Sequence, residues 1–282
     1  MQADVFCRVV DNFGDIGITW RLVRQLQREH HWSIRLWVDD LKSFQRLEAR
    51  VYLHALQQVI EDIEIIHWGD PAPDLIPYPL VLCSFSCDLP ATYIAQLHQR
   101  PALWINLEYL TAETWADDMH LMPSPQNNGL NKYFYFPGFT PKTGGVLLGD
   151  WHEVTSDKKT SPPNSLALVL QSCRPASKKI SVFNYKQAPL DVWLNSVNQT
   201  ALAHGEMVDV FLCADQNVSA ITQKAFSLED SAVKLIQLPF IPQEDYDYLL
   251  SICDKNLVRG EDSFVRAQWA GKPFIWDIYP QS

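Results

Sequence analysis

Short apolar runs alternate along the chain with stretches whose apolar residues recur every three or four positions, and that alternation predicts the elements. Residues 5–10 are β-rich, 11–17 are turn-forming, and 19–30 carry Trp20, Leu22, Val23 and Leu26 at helical spacing. A strand is predicted at 33–38, a helix over 41–60 and a strand at 63–68, followed by a connection holding Pro71, Pro73, Pro77 and Pro79. Residues 80–85 form a continuous apolar run of the fully buried strand type, with a helix at 90–99 and a strand at 102–107 after it. The stretch 110–149 reads as irregular, with an aromatic cluster at 133–139.

The alternation stops in a polar segment, Thr155-Ser156-Asp157-Lys158-Lys159-Thr160-Ser161-Pro162-Pro163-Asn164, and then resumes. Strands are predicted at 180–185, 208–214, 233–238, 256–258 and 274–278, and helices at 190–203, 243–253 and 262–269. Strands separated by helices imply parallel pairing and doubly wound sheets. The expectation is an α/β chain of two Rossmann-like domains facing a central cleft. Residues 1–150 form the first domain, 151–165 a linker or variable loop, and 166–282 the second. The last strand has no covering helix after it, so the chain is expected to be a C-terminally shortened form.

Composition narrows the function classes. Hydrophobic residues make up 47% of the 282 and charged residues 20%, which places the chain among globular proteins. A net charge of −10 offers no footprint for a nucleic-acid backbone, so no direct nucleic-acid partner is expected. No run is long enough to span a bilayer, and the N-terminus lacks a secretory pattern, so no membrane partner and a cytoplasmic location are expected. Cys7, Cys83, Cys87, Cys173, Cys213 and Cys253 form no C-x-x-C pair and no zinc-ligand spacing, so they read as reduced structural thiols and no metal is expected.

Three constellations carry chemistry. The first, Asp11-Asn12-Phe13-Gly14-Asp15-Ile16-Gly17, follows the first strand, where loops of open α/β sheets face the ligand crevice. It lacks G-x-G-x-x-G, and two carboxylates would repel a pyrophosphate, which disfavours a nicotinamide cofactor. Its plain alternative is helix capping by Asp15 with a turn bond at Asp11. The second, Arg259-Gly260-Glu261-Asp262-Ser263, reads as a strand end, a tight turn and a helix start able to receive a phosphate. Arg259 and Ser263 would add donors there, whereas Glu261 and Asp262 suit sugar hydroxyls; capping by Asp262 is the alternative. The third is aromatic: Phe183-Asn184-Tyr185 and Leu238-Pro239-Phe240-Ile241-Pro242-Gln243 sit near strand ends, where a nucleobase could stack.

Taken together, residues 6–17 with Trp20-Arg21-Leu22, Glu108-Tyr109-Leu110, 120–126, 259–268 and Gly271-Lys272-Pro273-Phe274 resemble the signature of the EarP family along essentially the whole chain. The resemblance implies a GT-B fold and an inverting transfer of L-rhamnose from dTDP-β-L-rhamnose to one arginine of elongation factor P, which then relieves ribosome stalling. It implies Asp15 as general base, Asp11 as its support and Glu261 as a third essential carboxylate. Asn12, Phe13 and Gly14 complete the active-site loop. Phe183, Tyr185, Phe240, Gln243, Arg259, Gly260, Asp262 and Ser263 are implied as donor contacts. No cofactor or metal is implied. Two rivals stand beside it: a GT-B enzyme with another nucleotide sugar or acceptor, and a non-catalytic module that only binds elongation factor P.

Overall fold

The computed structural model describes residues 1–10, 13–69, 72–149, 162–185, 187–213 and 231–278. Asp11 and Asn12, most of the expected linker and the final residues 279–282 lie outside them. The chain divides into two compact units, Met1–Gly149 and Asp150–Ser282.

The first unit is built on β1 (Gln2–Cys7), α1 (Gly14–His30), β2 (Ser33–Val38), α2 (Leu41–Leu47), β3 (Gln57–Ile60), β4 (Ile63–His67), β5 (Leu80–Ser84), α3 (Ala91–Gln99), β6 (Leu103–Leu107), α4 (Ala116–Met119), β7 (Pro123–Pro125) and β8 (Asn131–Tyr135). Its eight-stranded sheet runs β3-β4-β2-β1-β5-β6-β8-β7. The β3–β4 and β7–β8 pairs are antiparallel and the others parallel. From β1 the strand order turns outward in both directions, so the switch point lies between β1 and β5. β1 is buried from Ala3 to Cys7, as a central parallel strand covered on both faces must be. One face packs Val5, Ile16, Trp20, Leu36 and Phe44 together; the other packs Phe6, Trp37, Val81, Tyr93 and Trp104.

The second unit contains α5 (Asn164–Gln171), β9 (Lys178–Val182), α6 (Leu190–His204), β10 (Val208–Leu212), β11 (Val233–Gln237), α7 (Gln243–Ile252), β12 (Lys255–Arg259), α8 (Gly260–Ala270) and β13 (Phe274–Asp277). Its five strands, in the order β11-β10-β9-β12-β13, are all parallel, with the switch point between β9 and β12.

Three expectations change. The helix foreseen over 41–60 ends at Leu47, and β3 occupies its far end. Helical spacing holds only for Leu41 and Phe44, whereas Glu61 and Asp62 (φ 52° and 59°) form a left-handed pair that turns β3 back onto β4. The stretch expected to be irregular holds α4, β7 and β8, and the aromatic Tyr133-Phe134-Tyr135 run extends the sheet beside β6. α5 begins at Asn164, inside the segment assigned to the linker. No helix among the described residues is long and apolar enough to cross a membrane.

Candidate active site

At the end of β1 the chain leaves the sheet through residues 8–10, pinned by the Val9 N–H donating to Asp39 Oδ1 at 2.9 Å. α1 then begins at Gly14 with Phe13 before it, and no side chain caps this end. Asp15 therefore does not serve as the N-cap residue: it lies within the first turn, 1% exposed. Its Oδ2 accepts the Val10 N–H at 2.9 Å and its Oδ1 accepts the Tyr109 hydroxyl at 3.0 Å. Its carbonyl accepts Thr19 Oγ1 at 2.8 Å, and that hydroxyl bonds Ser84 Oγ at 3.0 Å, which ties α1 to the end of β5. The ring of Phe13 lies 4.8 Å from the Arg46 guanidinium. Across the switch point, Phe85 stacks on Tyr109 with centroids 4.4 Å apart and 15° between planes. A buried carboxylate fixed at both oxygens thus stands at the switch point of this unit. Asp11 and Asn12 fall outside the described residues, so their placement adds nothing to this picture.

In the second unit the loops after β9 and β12 converge. The Arg259 guanidinium lies 4.2 Å from the ring centroid of Phe183 and 5.1 Å from that of Tyr185, and donates to the Asn184 carbonyl at 3.0 Å. The sequence reading gave Arg259 to a diphosphate; the fold also makes it the clasp between two strand ends. Asp277, which the reading missed, accepts the Tyr185 N–H at 2.7 Å. Gly260 takes φ +69°, a left-handed conformation that suits glycine, and Trp276 Nε1 donates to its carbonyl at 3.2 Å. α8 starts at Gly260 with Arg259 in the N-cap position and no side-chain cap bond, so Asp262 is not the cap. Asp262 instead pairs with Arg266 at 3.7 Å. Glu261 is partly exposed in the first turn, and Ser263 is buried there.

Phe240 lies in a third loop, after β11, and is 43% exposed, and Gln243 opens α7 at the end of that loop. The link to the other two loops is Arg266, also missed from sequence. It is buried, pairs with Asp247 and donates to the Gln243 carbonyl, joining the start of α7 to α8. Phe183 meets Tyr246 of α7 edge-on at 5.9 Å. Phe183, Tyr185, Arg259, Gly260, Asp262 and Gln243, expected from sequence as donor contacts, therefore belong to one connected framework. No group of three or more His, Cys, Asp or Glu among the described residues has a metal-holding arrangement.

Two doubly wound α/β units in succession, each with polar groups at its switch point, are the architecture of the GT-B fold, the class to which this chain belongs. A family 9 glycosyl transferase from Veillonella parvula shares that fold alone, with a TM-score of 0.51 at 9% identity over 100% of this chain and 82% of its own. The family model described as Elongation-Factor P (EF-P) rhamnosyltransferase EarP matches residues 3–282, and the chain belongs to that family. The protein-arginine rhamnosyltransferase of Pseudomonas putida is 41% identical over 296 residues, covering 99% of this chain and 76% of its own length. A structure solved for EarP-mediated arginine glycosylation of translation elongation factor EF-P is 28% identical, with a TM-score of 0.57 over 99% of this chain and 73% of that one.

Proposed function

We propose that this enzyme transfers L-rhamnose from dTDP-β-L-rhamnose to an arginine of elongation factor P with inversion at the anomeric carbon, so that the modified factor relieves ribosome stalling. The observation that carries the reading is Asp15, a buried carboxylate whose two oxygens are held by a backbone N–H and a tyrosine hydroxyl beside the switch point. A guanidinium is a weak nucleophile because it is cationic up to a pKa above about 12 and its lone pairs are delocalised. It attacks only if a fixed base removes a proton as the C–N bond forms. Asp15 is that base, Asp11 supports it, and Asn12, Phe13 and Gly14 shape the loop around it.

The second unit holds the donor. Phe183, Tyr185, Phe240 and Gln243 bind the thymidine part. Gly260, Asp262 and Ser263, at the start of α8, and Arg259 receive the diphosphate and the sugar. As the C–O bond breaks, its electrons leave on dTDP, and the N–H groups of the first turn of α8 with Arg259 stabilise that charge without a metal. Glu261 is the third essential carboxylate. The reaction belongs in the cytoplasm, where translation factors act.

Intact-mass measurement of elongation factor P, after incubation with this chain and dTDP-rhamnose, tests the whole reading. One added deoxyhexose on a single arginine is the expected result. Addition from a UDP-sugar in preference would give the enzyme another donor, and binding of the factor with no transfer would make the chain a recognition module.

A further inference from the structure

The loops after β5 and β6 hold a carboxylate without a cation. Glu108, just past β6, accepts the Ser86 hydroxyl at 3.2 Å and the Asn106 amide on the same oxygen, Oε1. The Asn106 amide also donates to Ser86 Oγ at 3.0 Å, so the three side chains form a closed triangle. Among the described residues Glu108 Oε2 accepts no hydrogen bond and no basic side chain pairs with Glu108. Asn106 is completely buried, and its Oδ1 has no partner among the described residues. Burying an amide oxygen without a donor costs about 1–3 kcal/mol, so this network is one donor short.

The backbone here is also held in an unfavourable conformation. Phe85 and Ser86 are consecutive non-glycine residues at φ 56° and 58°. Left-handed conformations of this kind cost of order 1–3 kcal/mol each and collect at functional sites. This turn sets Ser86 against Glu108 and Phe85 against Tyr109. Tyr109 follows Glu108 in sequence and donates to Asp15 Oδ1, so one residue links the segment of the cation-free carboxylate to the catalytic one.

We propose that Glu108 is a specificity carboxylate for the acceptor, with Oε2 receiving the N–H groups of the arginine guanidinium that Asp15 does not deprotonate. The inference rests on the functional reading above. A guanidinium presents five N–H donors in a rigid plane and can engage two carboxylates at once, which a lysine ammonium on its flexible stem does much less well. Asn106 and Ser86 are positioning residues: occupying Oε1, they turn Oε2 toward the ligand. The site would thus explain why arginine is chosen as acceptor, a question Asp15 alone leaves open.

The test uses the whole chain, elongation factor P, and a version of the factor with its target arginine changed to lysine. Transfer by the wild type is measured first, because its failure counts against the functional reading and is thereby told apart from a failure at Glu108. With Glu108→Gln the KM for the factor should rise about tenfold while kcat and the affinity for dTDP stay close to wild type, the loss expected for one charge-assisted contact. Glu108→Asp, which keeps the charge with a shorter reach, should fall between the two and also serves if the Gln variant does not fold. An unchanged KM, or a loss confined to kcat, overturns the proposal. If the wild type shows no transfer, calorimetry of the two versions of the factor decides: a preference for arginine of about tenfold that Glu108→Gln removes supports the site. Equal binding of both versions by the wild type overturns it.

Discussion

At the scale of single residues, the proposed mechanism divides the work between Asp15, which removes the proton, and Arg259, which binds the donor. Asp15→Asn keeps the shape, with its carbonyl oxygen placed to accept the Val10 N–H and its NH2 group placed to donate to the Tyr109 hydroxyl oxygen, but it cannot take a proton. Turnover is expected to fall roughly 10²- to 10⁴-fold, the usual worth of a general base, with dTDP affinity nearly unchanged by calorimetry. Nucleotide affinity that falls in step with turnover would remove Asp15 from the base role. Arg259→Ala should do the opposite. It removes a positive charge and also the clasp between the Asn184 carbonyl and the Phe183 and Tyr185 rings. Affinity for dTDP should drop about tenfold or more, as loss of a charge-assisted contact implies, and unchanged affinity would take Arg259 out of the donor site.

Among elements, what matters is which polar pairs hold helices and strands in register. Arg266 and Asp247 are 1% and 5% exposed, and the pair fastens α8 to α7. Arg266→Leu would leave the Asp247 carboxylate buried without its cation, so urea unfolding should report a loss of about 3–5 kcal/mol. A loss below about 1 kcal/mol would mean that the pair is exposed in solution, as surface pairs contribute no more than that. In the first unit Glu61, at the β3–β4 turn, receives Arg24 at 2.8 Å, Arg50 at 2.7 Å and Arg28 at 3.0 Å. Burial pushes its carboxyl up, but the Arg24 and Arg50 hydrogen bonds outweigh that and hold it down at about 2, against an ordinary 4.5. A depressed carboxylate contributes stability above its unfolded value and loses it as pH falls through the folded one. Thermal midpoints should therefore decline between about pH 4.5 and 2, and Glu61→Gln should flatten that decline. An identical acid limb in both proteins would show that Glu61 carries none of it. Most helices and strands were legible: α6 buries Leu190, Leu194 and Ala201 along one face, and β2 is a short run buried on both faces. The 41–60 region misled because its signal was the Glu61-Asp62 turn and not the apolar spacing before it. The loop after β1 was legible as a loop facing the crevice from its place at the carboxyl end of the first strand. Tyr109, 94 residues beyond Asp15, and Arg266, a cation in a helix core, were not, since tertiary contact alone gives them a role.

For the whole molecule, the two units carry separate cores and separate switch points, and the proposed chemistry assigns one substrate to each. That division has a thermodynamic signature. A ligand that binds only the native state protects the hydrogen bonds it orders, by about 2.7 kcal/mol at one hundred times its dissociation constant. Hydrogen exchange with dTDP alone should therefore slow the amides of 183–185 and 259–263, at the ends of β9 and β12. Elongation factor P added alone should instead slow the residues from Phe13 to Trp20 and those around Phe85 and Tyr109. The two footprints follow from where the polar groups converge: Arg259 and a helix start suit a diphosphate, whereas Asp15 and Glu108 repel one and suit a guanidinium. Protection by dTDP confined to the loop after β1, with none after β9 or β12, would reverse the assignment of substrates to units. In the proposed division, the same carboxylates that make the first unit a poor nucleotide site are what suit it to an arginine.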